Sequence, residues 1–173
     1  MNKAFFIDKD GTLVDNSEYP KVIPSDKLLE NDIIEGLKHI QGKGYKLFIV
    51  SNQPWISKKI MMKEEVDQIF DSLIKKLNDL GIKIEDYFYC PHQSSDNCDC
   101  RKPKPGMIIK AKEKYNIDLS KSFIIGDTDK DICSGNEAGM KTILVETGFD
   151  EKFKNIVKPT YILKNLNEII KIL

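Results

Sequence analysis

Apolar residues follow two rhythms along this chain. Short runs occur at Ala4-Phe5-Phe6-Ile7, Lys46-Leu47-Phe48-Ile49-Val50, Tyr87-Phe88-Tyr89-Cys90, residues 122–127, Thr142-Ile143-Leu144-Val145 and Tyr161-Ile162-Leu163. Runs this short, rich in aromatic and β-branched side chains, predict buried strands. Between them, apolar residues recur at helical spacing: Ile33, Ile34, Leu37 and Ile40, then Val66, Ile69, Phe70, Leu73, Ile74, Leu77 and Leu80. The first set predicts a helix ended by Gly42 and Gly44; the second predicts a long one over 62–80 closed by Gly81. Further helices are expected over 107–115, 131–139 and 166–173. Residues 14–32, polar and broken by Pro20 and Pro24, predict a loop. Strands alternating with helices imply an α/β fold, a Rossmann-like parallel sheet with helices on both faces. No domain boundary interrupts residues 1–173, so a single domain is expected.

Composition narrows the possible functions. Lys plus Arg number 27, and so do Asp plus Glu. With no basic excess, gripping nucleic acid or an anionic membrane is not the expected task. No apolar run approaches the ~20 residues of a membrane span. Residue 4 already opens a strand, so no secretory leader is expected, and a cytoplasmic location follows.

The strand ends carry the chemistry. The first run stops at Asp8-Lys9-Asp10-Gly11-Thr12. Alternate strand residues point the same way, so the two carboxylates can face one point. Like charges that close repel unless a cation lies between them. Alternatively, Asp-Gly is ordinary turn chemistry. Other strand ends contribute Ser51, the basic run 101–104, Asp127 and Asp131. In an open α/β sheet these share the edge where ligands bind. Carboxylates, a small hydroxyl and a lysine suit a phosphoryl group. Asp8 and Asp127 are candidate Mg²⁺ ligands. Asp8 is a candidate nucleophile, and Asp10 is then free to move a proton. Ser51 and a lysine of the 102–104 run are candidate phosphate donors.

These four segments resemble the motifs of the haloacid dehalogenase superfamily of phosphatases. They are Asp8-Lys9-Asp10-Gly11-Thr12, Ser51-Asn52-Gln53, Arg101-Lys102-Pro103-Lys104-Pro105 and Gly126-Asp127 with Asp131. They come in the superfamily's order and span the chain. The resemblance implies Asp8 as nucleophile and Asp10 as general acid, then base. It implies Mg²⁺ held by Asp8, Asp127 and the carbonyl of Asp10. Ser51 and Lys102 would steady the phosphoryl group. Asp131 would support from behind, holding Lys102, or else serve as a helix N-terminal acid. Asn16, Ser17, Glu18, Tyr19, Asn52, Gln53 and Arg101 would contact substrate.

The third strand ends in Cys90-Pro91-His92, followed five residues later by Cys98-Asp99-Cys100. Three cysteines and a histidine make a closed tetrahedral set, the composition of a structural Zn²⁺ site. A staple there would fix the loop that carries Arg101 and Lys102. Cys133 is expected to be a buried small apolar residue, and His39 to be solvated. The zinc loop resembles that of a subgroup holding the D-glycero-D-manno-heptose-1,7-bisphosphate 7-phosphatases and the histidinol-phosphate phosphatases. Arg101 to Met107 and Leu144-Val145-Glu146-Thr147-Gly148 resemble the heptose enzymes. The short zinc loop is more like the histidinol ones. Pro54-Trp55-Ile56 departs from the Ser-Gly-Ile of the heptose pattern, and Trp55 is either a lid over a sugar face or a packing residue.

No room remains for an inserted cap domain, so a capless enzyme is expected. The implied partner is a small sugar phosphate, and the enzyme is expected to be a monomer. A phospho-receiver signalling domain is the competing class. It too clusters acids and a lysine, but it has no use for a zinc loop.

Overall fold

Six parallel strands form the spine of the structure, a computed structural model that describes residues 1–16, 26–148 and 157–173. They are β1 (Ala4–Ile7), β2 (Lys46–Asn52), β3 (Ile84–Cys90), β4 (Phe123–Gly126), β5 (Lys141–Val145) and β6 (Tyr161–Leu163). Their spatial order is β3-β2-β1-β4-β5-β6. The chain therefore builds outward from β1 to β3, returns to pair β4 with β1, and builds outward the other way. The direction reverses between β1 and β4. The crevice outside their carboxyl ends is where an open sheet of this kind places its ligand. β1 and β4 are fully buried four-residue runs, as expected of central strands covered on both faces.

Strand alternation divides the core in two. Phe5 and Ile7 of β1 pack with α1 (Glu30–Gly42) and α2 (Lys63–Asp79), through Ile33, Leu37, Ile40, Val66, Phe70, Leu73 and Leu77. Ala4 and Phe6 face the other way, onto Met107, Ile108 and Ala111 of α3 (Gly106–Tyr115). α4 (Asp129–Glu137) covers that same face farther along, with Gly135 against Ile124 and Thr142. α1 joins β1 to β2 and α2 joins β2 to β3.

The strands expected from the sequence, and the helices expected before residue 140, are present with different edges. β3 begins at Ile84 rather than Tyr87. α4 begins at Asp129 because Thr128 and Asp131 form a capping box there. Residues 166–173, expected to be an α-helix, form a 3₁₀ turn over Leu166–Lys171. Leu166 and Ile169 are its buried residues, a spacing of three that the 3₁₀ period eclipses. Part of the expected loop 14–32 is structured: Val14 bridges Leu28, and α1 starts at Glu30. Residues 17–25 lie outside the described residues. Cys133 is exposed rather than buried. α4 packs against the sheet through Asp131, Ile132, Ser134 and Gly135, which turns Cys133 outward. His39 is half-buried, not solvated, and its Nε2 has no hydrogen-bond partner.

Candidate active site

Asp8 follows β1, Asp127 follows β4, and Asp131 lies in the first turn of α4. All three are buried. One oxygen from each lies within 4.8 Å of the others. Lys102, 3 % exposed, reaches this cluster from the zinc loop. Its Nζ donates to Asp8 Oδ1 at 2.6 Å, to Asp131 Oδ1 at 2.6 Å and to the Val50 carbonyl at 2.9 Å. The other oxygen of Asp131 caps α4, accepting from Thr128 N and Oγ1 at 3.2 and 2.6 Å. Asp131 thus holds the lysine and caps the helix at once.

One ammonium does not neutralise three buried carboxylates. Burial, opposed by Lys102 but reinforced by Asp131 and Asp10, holds the Asp8 carboxyl up at about 7. Burial and the charges of Asp8 and Asp131 push Asp127 well above the usual carboxylate range. Burial works to lower Lys102, but Asp131 and Asp8 outweigh it and hold the ammonium charged. Asp127 Oδ1 is buried and has no hydrogen-bond partner. An orphaned carboxylate oxygen beside a second crowded carboxylate fits a divalent cation, which would relieve both conditions. The donors are all oxygen, as Mg²⁺ requires.

Close backbone approach shapes the rim. Gly11 takes φ +87°, and a Cβ there would lie 2.3 Å from Asp127 Oδ2 and 2.6 Å from Asn16 Nδ2. Gly148, in the loop after β5, packs on the same spot: its Cβ would fall 2.2 Å from Asp127 Oδ2 and 2.6 Å from the Gly11 Cα. Thr147 Oγ1 donates to the Gly11 carbonyl at 2.6 Å. In the sequence, Glu146-Thr147-Gly148 carries a family likeness and no signal of this contact.

Asp10 lies on the β2 side of Asp8. Its Oδ1 accepts from Lys9 Nζ at 2.6 Å and its Oδ2 from Gln53 Nε2 at 2.7 Å, with Ser51 Oγ 3.5 Å away. Gln53 also donates to Ser51 Oγ at 2.9 Å and is fully buried. Asn52 turns inward too, and its amide pairs with the Lys102 backbone in both directions at 3.0 Å. The amide nitrogens of these two expected substrate contacts are therefore committed to protein groups. Arg101 is half-buried and donates through a terminal guanidinium nitrogen to the His92 carbonyl at 2.9 Å. It borders a cavity of about 300 Å³ with Pro54, Lys58, Gln93, Ser94 and Ser95. Trp55 is half-buried, with the Lys58 ammonium 5.4 Å from its ring. Asn16 sits beside Gly11; Ser17, Glu18 and Tyr19 lie outside the described residues.

The Cys90, His92, Cys98 and Cys100 ligand atoms converge within 4.8 Å. Cys90 Sγ lies 3.5 Å from His92 Nδ1 and 3.5 Å from Cys98 Sγ, and Cys100 Sγ is 3.3 Å from both Cys90 Sγ and His92 Nδ1. Burial pushes the Cys90 and Cys100 thiols up; it acts the same way on Cys98, where backbone and thiol hydrogen bonds together outweigh it and bring the thiol down. Three thiols and an imidazole closing on one point fit a tetrahedral Zn²⁺. Gly106 seals the loop onto α3, where a Cβ would meet the Asp99 carbonyl at 2.2 Å.

Kinship agrees with this arrangement. Residues 99–169 match the family described as HAD-hyrolase-like. A D-glycero-beta-D-manno-heptose-1,7-bisphosphate 7-phosphatase of Pasteurella multocida is 33% identical over 180 residues, covering 100% of this chain and 97% of the relative. The chain belongs to this phosphatase family. A family member from Photorhabdus laumondii, named for the alpha anomer, is 35% identical over 84% of each chain. The family fold is seen in the crystal structure of D,D-heptose 1.7-bisphosphate phosphatase from B. bronchiseptica, complexed with magnesium and phosphate. It superposes with a TM-score of 0.88, at 23% identity, over 98% of this chain and 96% of that one.

Proposed function

We propose that this chain is a phosphatase that releases the 7-phosphate of D-glycero-D-manno-heptose 1,7-bisphosphate through a phosphoryl group carried on Asp8. The observation that carries the reading is Asp8 itself. It is a buried carboxylate at the switch point of the sheet, bonded to Lys102 and within 4.8 Å of Asp127 and Asp131.

Asp8 attacks phosphorus, and the bond from phosphorus to the C7 oxygen breaks. The leaving oxygen takes its proton from the Asp10 carboxyl. The Asp10 carboxylate then accepts a proton from water as that water attacks the phosphorus on Asp8. This frees inorganic phosphate and restores both aspartates. Lys102 aims Asp8 and adds positive charge beside the phosphoryl oxygens, and Ser51 donates to them. Asn52 supports Lys102, and Gln53 supports Asp10. Asp8 and Asp127, with the Asp10 carbonyl, would hold Mg²⁺, which supplies the charge that lets two anions meet. Cys90, His92, Cys98 and Cys100 would hold Zn²⁺ as a staple behind Lys102. Asn16 and Arg101 remain candidates for binding the sugar.

We read residues 1–173 as one capless domain, monomeric and cytoplasmic. None of the described helices is long and apolar enough to cross a membrane. The deciding assay measures phosphate release, with and without Mg²⁺, from both anomers of the heptose bisphosphate and from histidinol phosphate. The heptose bisphosphate is expected to be turned over best, and only with Mg²⁺. Equal or better turnover of histidinol phosphate would overturn the substrate assignment.

A further inference from the structure

Lys9 is the charged side chain of the first motif that the reaction above leaves unused. It is 0 % exposed, among the largest fully buried side chains of the protein. Its ammonium lies 5.9 Å from the ring centroid of Phe70 in α2 and 2.6 Å from Asp10 Oδ1. Burying an ammonium is costly, and an apolar residue of similar length would fill the same space without that cost. The packing therefore does not explain the charge. Its carboxylate partner does.

Asp10 is held from two sides. Lys9 binds one oxygen and Gln53 the other, at 2.6 and 2.7 Å. Gln53 is itself anchored: its backbone nitrogen donates to the Cys90 carbonyl at 2.7 Å and its amide also donates to Ser51. Two donors on different strand ends fix the plane of the carboxyl group. About a third of the Asp10 side chain stays exposed toward the site. A carboxyl oxygen offers more than one lone-pair direction, so Oδ1, which accepts from Lys9 alone, retains one for the reacting proton.

We infer that Lys9, together with Gln53, is a positioning residue that sets the orientation in which Asp10 delivers its proton to the departing sugar oxygen. The inference rests on the reaction proposed above. In that step the Asp8–phosphorus bond forms, the phosphorus–oxygen bond to C7 breaks, and the Asp10 proton moves to that oxygen. Misplacing such a group by a fraction of its hydrogen-bond length costs rate without costing binding.

The test compares two kinds of leaving group through kcat/KM, which covers the steps up to departure of that group. The alkoxide of a sugar phosphate needs the proton of Asp10. The leaving groups of 4-nitrophenyl phosphate and acetyl phosphate do not. Lys9→Met should lower kcat/KM on the heptose bisphosphate about 100-fold, yet less than about fivefold on 4-nitrophenyl or acetyl phosphate. KM on the sugar should stay near the parent value, and Lys9→Arg should restore most of the loss. Gln53→Leu should show the same selectivity, and it carries the test if Lys9→Met does not fold. Equal losses on both kinds of substrate in a folded variant would overturn the inference. A parent chain that hydrolyses none of these esters would instead overturn the reaction itself.

Discussion

The side-chain amide of Asn52 pairs with the backbone of Lys102 at both ends, its Nδ2 donating to the carbonyl and its Oδ1 accepting from the N–H, each at 3.0 Å. This ties the end of β2 to the segment that carries the buried lysine. Asn52→Asp keeps the shape but sets an oxygen against the Lys102 carbonyl. It should lower stability by about 1–3 kcal/mol and reduce kcat. Denaturant titration and steady-state kinetics check both, and parent values for both would remove the tie from the account.

Magnesium affinity should rise with pH. Asp8 titrates at about 7 in the folded chain, against 3.8 for an ordinary aspartate, and Asp127 is displaced the same way. A folded-state value above the unfolded one contributes stability that is full below the unfolded value and lost as pH rises through the folded value. The metal-free protein should therefore lose this contribution between about pH 4 and 7. Mg²⁺ binds the carboxylates, so its stabilisation grows over the same window. Thermal unfolding with and without Mg²⁺ at about pH 5, 7 and 8.5 should show a widening Tm difference. A difference independent of pH would contradict Asp8 and Asp127 as ligands.

Gly148→Ala should strike the metal site from a distance in sequence. The added methyl group would lie 2.2 Å from Asp127 Oδ2 and 2.6 Å from the Gly11 Cα, so Asp127 must move. Mg²⁺ affinity should fall about tenfold or more, the scale of losses when a ligand's supports are disturbed. Gly42→Ala, at the end of α1, meets nothing within 4 Å and should leave affinity unchanged. Titration calorimetry on both variants makes the comparison.

Cys98→Ser should lower bound zinc and stability together, by about 3 kcal/mol or more. Because Cys100 stands two residues before Lys102, kcat should drop as well. Zinc content by elemental mass spectrometry, read beside Tm, checks this. A zinc-free variant with the parent Tm would show that the loop needs no staple.

The clustering of Asp8, Asp127, Asp131 and Lys102 was legible because each strand end puts its polar residues on one edge. Asp8, Ser51, the 101–104 run, Asp127 and Asp131 could be placed by counting strands, while Lys102 within that run came from the family resemblance. What the pattern does not carry is side-chain partnering at and beyond the strand ends, where neighbouring loops supply the partners. Asn52 and Gln53 were expected to face substrate, yet their amides bind Lys102 and Asp10. Lys9, flanked by the two aspartates, returns to Asp10 from within the core. Cys133 was expected inside, but α4 lies so close to the sheet that Gly135 and Ser134 take the buried stripe. The closing turn was misjudged because its Leu166–Ile169 spacing fits a 3₁₀ turn as well as an α-helix.

The most direct test of the central claim is to trap the phosphoryl group. Enzyme mixed with labelled heptose bisphosphate and Mg²⁺, quenched in acid within one turnover, should carry an alkali-labile phosphate that mass spectrometry maps to Asp8. Asp8→Asn should carry none and lose at least about 10³-fold in kcat. Label on another residue, or an Asp8→Asn variant that still turns over at more than about a hundredth of the parent rate, would contradict it.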